Sequence, residues 1–295
     1  MQHLVDTDQF SLAQIEQIMK DAKAFKTKRP PLLLRDKVIV TLFFEKSTRT
    51  RSSFEIAGKR LGAAMVLFDP SKSSTSKGET LEDTFTTLCA MEPDAVIVRH
   101  SENNTPKMLA DMQVTPVINA GAGNYAHPTQ ALLDYFTMLE YFGGNIQGKT
   151  IAIIGDVVSS RVASSGIRLF TRMGMKVVLV APKHFMPERE DLPQYESLDD
   201  VLDHVDVVMS LRAQLERHEV PHFEDYDEYA KHYCITKERI CDRDILLMHP
   251  GPVMRNIDIS DEMLNDPRCK VLEQVKNGVY VRMAILKLLL LDSAV

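Results

Sequence analysis

The run Phe43-Phe44-Glu45-Lys46-Ser47-Thr48-Arg49-Thr50-Arg51 gathers hydroxyls and guanidiniums into adjacent positions. An apolar stretch, Val38 to Phe44, leads into it and reads as a buried strand. Phe54, Ala57, Gly58 and Leu61 follow at helical spacing. Ser47 to Arg51 is therefore expected at a strand-to-helix turn, opening a helix. Free backbone N–H groups and a partial positive charge make such a terminus favour anions. Guanidiniums match phosphate oxygens in bidentate fashion. The chemistry on offer is a phosphate cradle; the competing reading is a surface N-cap followed by solvated arginines.

Similar groups recur where other strands are expected to end. Ligands of open α/β sheets bind beyond the carboxyl ends of the strands. A polar loop containing Lys77, with Gly78 as a hinge for a lid, follows a second strand. Arg99-His100 follows a third, and His127-Pro128-Thr129-Gln130 comes after a fourth. Later in the chain the same places hold Gly155-Asp156 with Arg161, then Arg212 with Gln214, then His249-Pro250-Gly251-Pro252. Arg99 alone could be a surface arginine, and His127 a satisfied turn histidine. Together they describe a site rich in cations and hydrogen-bond donors, suited to a small, multiply anionic ligand. Gly155-Asp156 lacks the full G-x-G-x-x-G, so a dinucleotide cofactor is not expected.

The elements that position these groups alternate. Ser11-Leu12-Ala13-Gln14 reads as a capping box, and Leu12, Ile15, Ile18, Met19, Ala22 and Phe25 mark one helical face before Pro30-Pro31. Candidate strands are 38–44, 64–68, 95–98 and 116–120, with helical patterns at 54–61, 81–89, 107–112 and 129–141. The alternation restarts with strands at 150–154, 176–180, 206–211 and 245–248. Short, continuous apolar strands with helical crossovers predict parallel sheets. The expected fold is α/β, with two similar-sized domains, each a parallel four-stranded or slightly larger sheet flanked by helices. A small-ligand site is expected in the cleft between them. The helix at 129–141 is expected to join the domains. The apolar helix at 271–291 is expected to pack back on the first.

Length and composition agree. A chain of 295 residues is long for one core. Its 44% apolar and 26% charged residues are ordinary for a globular protein. The net charge of -6 argues against a nucleic-acid or membrane surface, so its arginine clusters are local and purposeful. No apolar stretch approaches the roughly 20 residues of a membrane span, and Met1 to Phe10 is polar, unlike a signal peptide. Cys89, Cys234, Cys241 and Cys269 form no C-x-x-C pair and read as reduced thiols of a cytoplasmic protein. Cys234 and Cys241 with His232 match no zinc spacing.

These motifs resemble those of the aspartate/ornithine carbamoyltransferase family. Phe43 to Thr50 is similar to its carbamoyl-phosphate signature, F-x-E-x-S-T-R-T, and His127-Pro128-Thr129-Gln130 to its second signature. Gly155-Asp156 to Arg161, Leu211-Arg212-Ala213-Gln214 and His249-Pro250-Gly251-Pro252 follow in the expected order, so the resemblance covers the whole chain. It is greatest to the members that act on aspartate. Lys77 stands in a Ser-Lys-Gly-Glu loop where ornithine enzymes usually lack the lysine, and their Ser-Met-Gly and His-Cys-Leu-Pro motifs are missing. One departure is visible: Met254 and Asn256 flank Arg255 where the family has asparagine and glycine.

The resemblance implies transfer of the carbamoyl group of carbamoyl phosphate to L-aspartate, giving N-carbamoyl-L-aspartate and phosphate, an early step of de novo pyrimidine synthesis. It implies carbamoyl phosphate on Ser47, Thr48, Arg49, Thr50, Arg99, His127 and Gln130, with the backbone of Gly251 and Pro252 facing the carbamoyl group. Aspartate would lie on Lys77, Arg161, Arg212 and Gln214. Lys77 would come from a neighbouring subunit of a homotrimer with shared sites, to which regulatory or pathway-enzyme chains could add. The implied domains are residues 1–134 with 279–295, and 135–278.

The residue chemistry agrees. Two arginines suit the two carboxylates of aspartate, whereas ornithine would need an acid. Thr50, Arg99 and His127 are the candidates to stabilise an oxyanion at the carbonyl, and the resemblance adds Lys77 to the catalytic set. The amine attacks directly, so no side-chain nucleophile is needed, and no metal or organic cofactor is expected. The rival readings are a carbamoyltransferase for another amine, a non-catalytic anion-binding paralogue and a nucleotide-dependent dehydrogenase.

Overall fold

A computed structural model describes residues 1–68, 79–189, 191–215 and 223–291. It divides into two compact units, Met1–Phe136 with Val275–Val295, and Thr137–Gln274.

In the first unit, strands β1 (Val38–Phe43), β2 (Ala64–Phe68), β3 (Ala95–His100) and β4 (Val117–Ala122) form one sheet in the order β2-β1-β3-β4. Its three strand pairings are all parallel. Helices α1 (Leu12–Thr27), α2 (Thr48–Leu61), α3 (Leu81–Cys89), α4 (Thr105–Asp111) and α5 (Pro128–Tyr141) alternate with the strands. Ser11 and Gln14 make the expected capping box at α1, each side chain meeting the other's backbone N–H. Val40, Leu42, Phe85, Leu88, Val96, Val98 and Leu109 share one buried cluster. Burying each of the larger side chains contributes about 1.5–3 kcal/mol.

The second unit repeats the scheme with β5 (Thr150–Ile154), α6 (Arg161–Arg172), β6 (Lys176–Val180), β7 (Gln194–Tyr195), β8 (Val207–Ser210), α7 (Tyr226–Tyr233), α8 (Lys237–Ile240), β9 (Leu246–Met248) and α9 (Asp261–Leu264). Its sheet runs β7-β6-β5-β8-β9, again parallel throughout. The two boundaries between units fall inside α5 and inside the last helix, α10 (Val271–Leu290). The apolar end of α10, including Val281, Met283, Ile285 and Leu286, is buried in the first unit, as the sequence leads one to expect.

The second sheet has five strands, within the expected four or slightly more; two-residue β7 is not among the candidate strands because it is too short to carry a hydrophobic pattern. One detail differs from the sequence reading. Strand β2 is not buried: Val66 and Leu67 remain 45% and 42% exposed. It is the edge strand, so apolar content does not place it inside.

The strand orders locate the useful positions. In the first sheet the chain leaves β1 toward β2 and returns on its other side as β3. In the second it leaves β5 toward β6 and returns as β8. The crevice beyond the carboxyl ends of two such strands is where α/β sheets bind ligands. The β1/β3 and β5/β8 pairs therefore mark the ligand-facing crevices of the two sheets.

Candidate active site

At the β1/β3 switch, Ser47 is the N-cap of α2 and Thr48 its first residue, so the phosphate-like motif lies where its pattern put it. The Ser47 side chain makes no capping bond. That leaves the first N–H groups of α2 to another acceptor. Thr48 and Arg49 are exposed and Thr50 is buried. Partial loss of water lowers the pKa of the Arg49 guanidinium from its ordinary value, without threatening its charge.

Arg99 lies near the end of β3. Its Nη1 donates to the Ala120 carbonyl at 3.1 Å, and its Nε is 3.1 Å from Glu45 Oε2. These contacts orient the guanidinium from both neighbouring strand ends. Beyond β4, His127 precedes Pro128, the first residue of α5, a position where proline costs no hydrogen bond. The His127 ring is buried, with Nε2 3.4 Å from Thr50 Oγ1. One turn into α5, Gln130 donates from Nε2 to Asp134 Oδ1 at 2.9 Å.

Behind this shell is a cation that the motif reading did not include. Arg282 of α10 is only 3% exposed. It donates to Ser53 Oγ of α2 at 2.9 Å and to Thr129 Oγ1 of α5 at 3.2 Å, with its guanidinium over the Phe54 ring. Burial, opposed by Asp134 and reinforced by Arg99, pushes its pKa down to about 10, so it remains a cation at neutral pH. One side chain thus braces both helices that carry the cradle. Its signal in the sequence was a charge set between Val281 and Met283, inside the otherwise apolar run Val279 to Leu286.

At the β5/β8 switch of the second unit, Gly155 turns the chain with φ +112°. A Cβ there would meet Tyr229 Oη at 3.0 Å and the Leu211 carbonyl at 3.1 Å, so glycine is required. Fully buried Asp156 accepts from Ser159 N at 3.1 Å. Ser160 caps α6 through Ala163 N at 3.2 Å, and Arg161 is the helix's first residue. Leu211 N donates to the Ile154 carbonyl at 2.8 Å, which carries the end of β8 alongside β5 and sets half-buried Arg212 and Gln214 just beyond it. Gly251 and Pro252 follow β9 and are joined by a cis peptide bond.

The structure thus brings Ser47 to Thr50, Arg99, His127 and Gln130 together on the first unit. It sets Arg161, Arg212, Gln214, Gly251 and Pro252 at strand ends of the second. Lys77 lies outside the described residues. Among the described residues no group of three or more His, Cys, Asp or Glu side chains could hold a metal ion. Among them, too, no helix is long and apolar enough to cross a membrane.

Comparison with known proteins decides the family. Residues 2–140 match "Aspartate/ornithine carbamoyltransferase, carbamoyl-P binding domain", and residues 147–289 match "Aspartate/ornithine carbamoyltransferase, Asp/Orn binding domain". The chain belongs to the aspartate/ornithine carbamoyltransferase family. It is 75% identical to the aspartate carbamoyltransferase catalytic subunit of Sulfurovum sp. (strain NBC37-1), over 99% of both chains. It is 57% identical to that of Aliarcobacter butzleri, again over 99% of both. Among solved structures it superimposes on the catalytic subunit of M. jannaschii aspartate transcarbamoylase with a TM-score of 0.88, at 34% identity over 99% of both chains. The Trypanosoma cruzi aspartate transcarbamoylase in complex with carbamoyl phosphate and aspartate matches at 0.87 and 33% identity, covering 97% of this chain and 95% of that one.

The departure from the family pattern after Pro252 has a local explanation. Asn256 adopts φ +63°, a left-handed conformation natural to glycine that asparagine tolerates better than most residues. Its side chain also exchanges bonds with Asp261, accepting from Asp261 N at 2.9 Å and donating to Oδ2 at 3.1 Å.

Proposed function

We propose that this carbamoyltransferase transfers the carbamoyl group of carbamoyl phosphate to the amine of L-aspartate, giving N-carbamoyl-L-aspartate and phosphate. The observation that carries the choice of acceptor is the pair Arg161 and Arg212, each just beyond one strand of the β5/β8 switch. Two guanidiniums fit a dicarboxylate. An ornithine side chain would bring a further cation to them. The identity to named aspartate carbamoyltransferase catalytic subunits supports the same choice.

Carbamoyl phosphate would lie on the first unit, its phosphate on the N–H groups and side chains of Ser47, Thr48, Arg49 and Thr50. Thr50, Arg99 and His127 would face the carbonyl oxygen, with Gln130 and the backbone of Gly251 and Pro252 at the carbamoyl group. The amine attacks the carbonyl carbon, the C–N bond forms and the C–O bond to phosphate breaks. The oxyanion formed on the way is stabilised by donors already in place. The leaving phosphate accepts the amine proton, so no separate base is called for. Holding two substrates in one geometry supplies much of the rate. This reading divides the chain into two domains, 1–134 with 279–295 and 135–278. It also includes a homotrimer in the cytoplasm in which Lys77 acts on a neighbouring subunit's aspartate, and the trimer could carry regulatory or pathway-enzyme chains.

The test is product formation from carbamoyl phosphate and L-aspartate by wild type, Arg49→Ala and Arg212→Ala. Arg49→Ala should raise the KM for carbamoyl phosphate, and Arg212→Ala the KM for aspartate. Arg212→Ala with an unaltered aspartate KM would refute the second assignment while leaving the first intact.

A further inference from the structure

Behind the second unit's strand ends lies a buried pair that the reaction as described does not use. His249 and Asp258 side chains are both 0% exposed, with Nε2 and Oδ2 3.1 Å apart. The remaining contacts fix the proton's place. His249 Nδ1 accepts from Gly251 N at 2.8 Å, so in the neutral ring the hydrogen sits on Nε2 and is donated to Asp258. Asp258 distributes its other lone pairs to backbone. Oδ1 accepts from Ala213 N at 3.1 Å, and Oδ2 also accepts from Met254 N at 2.8 Å. A further bond, His249 N to Gln274 Oε1 at 2.9 Å, anchors the histidine backbone.

Ala213 separates Arg212 from Gln214, and Gly251 and Met254 flank Pro252. One carboxylate and one imidazole therefore hold the two loops after β8 and β9 in register with each other. A carboxylate needs this many donors when fully desolvated, and the loops need a common anchor because neither is part of a strand. We propose that His249 and Asp258 are positioning residues for catalysis. They set Arg212 and Gln214 relative to the Gly251-Pro252 backbone, and so align the amino acid with the carbamoyl group. This rests on the assignment of those residues to substrate in the proposed function.

Asp258→Asn tests it at nearly constant volume. The amide oxygen can replace only one carboxylate oxygen. Its NH2 would then oppose either the Ala213 N–H or the N–H groups of His249 and Met254, so the tie between the two loops is lost in one orientation or the other. Steady-state kinetics, inorganic phosphate binding by calorimetry and thermal melting would be measured on the full chain. The expected result is a rise of about tenfold or more in aspartate KM with a fall in kcat. Phosphate affinity should stay within about twofold of wild type, because the cradle belongs to the first unit. If Asp258→Asn does not fold, His249→Asn serves instead. Its amide oxygen can still accept from Gly251 N, but the side chain is too short to reach Asp258. Wild-type aspartate KM and kcat in a folded variant would overturn the positioning role alone. Equal loss of phosphate and aspartate binding would overturn it as well, showing a general structural role. A wild-type chain that is silent with aspartate would overturn both the inference and the function on which it rests.

Discussion

Arg49 stands at the second position of α2, exposed, beside N–H groups that Ser47 leaves uncapped. Replacing it with alanine should weaken carbamoyl phosphate binding by about tenfold to a hundredfold, the usual worth of a charge-assisted hydrogen bond. Phosphate titration calorimetry would read this directly. His127→Ala, by removing a donor near the carbonyl, should lower kcat by about 10²–10³; full-rate turnover would remove His127 from the mechanism. The placement of these residues was legible in the sequence because hydroxyls, cations and histidine follow apolar strand patterns there. That of Arg282 and Asp258 was not. Arg282 finds its partners Ser53 and Thr129 at separations of 229 and 153 residues, and Asp258 finds Ala213 at 45. Spacing along the chain carries no information about which distant group satisfies a buried charge.

At the scale of elements, strands and helices were legible from apolar periodicity, and the Ser11 capping box from its two residues. Strand order was not. The β1/β3 and β5/β8 switches depend on which edge each crossover returns to, and no local pattern encodes that choice. The loop after Pro252 depends on a single left-handed residue, Asn256. Asn256→Val should destabilise the chain by about 1–3 kcal/mol, because a β-branched residue is strained at φ +63°. Asn256→Gly should cost less, and denaturant unfolding would compare them. A second element-scale prediction concerns acid stability. Arg268 holds the Asp266 carboxyl at about 2, below its ordinary 3.8, through bonds of 2.8 Å. The stability this adds is complete above the ordinary value and is lost as pH falls through about 2. After allowance for solvent screening, Asp266→Asn should lower the unfolding free energy at pH 7 by about 1 kcal/mol. The difference from wild type should vanish near pH 2.

For the whole molecule, the repeated alternation of strands and helices made two α/β units legible. The helix at 129–141 reads as the join between them, whereas the exact residues at which α5 and α10 pass from one unit to the other carry no local signal, since both helices keep their pattern across the boundary. Above the single chain, the proposed shared site predicts complementation. Arg49→Ala and Lys77→Ala chains, each impaired alone at a carbamoyl phosphate concentration below the raised KM, should regain part of the wild-type activity when mixed and reassembled, because some sites then combine an intact Arg49 with an intact Lys77. Mixed oligomers that gain no activity would contradict sharing.

The most direct measurement of the central claim is phosphate release from carbamoyl phosphate by the purified chain, with L-aspartate or L-ornithine supplied in parallel. Release that depends on aspartate and is absent with ornithine is the predicted result. Release that depends on ornithine would contradict the roles given to Arg161 and Arg212 while keeping the cradle at Ser47 to Thr50.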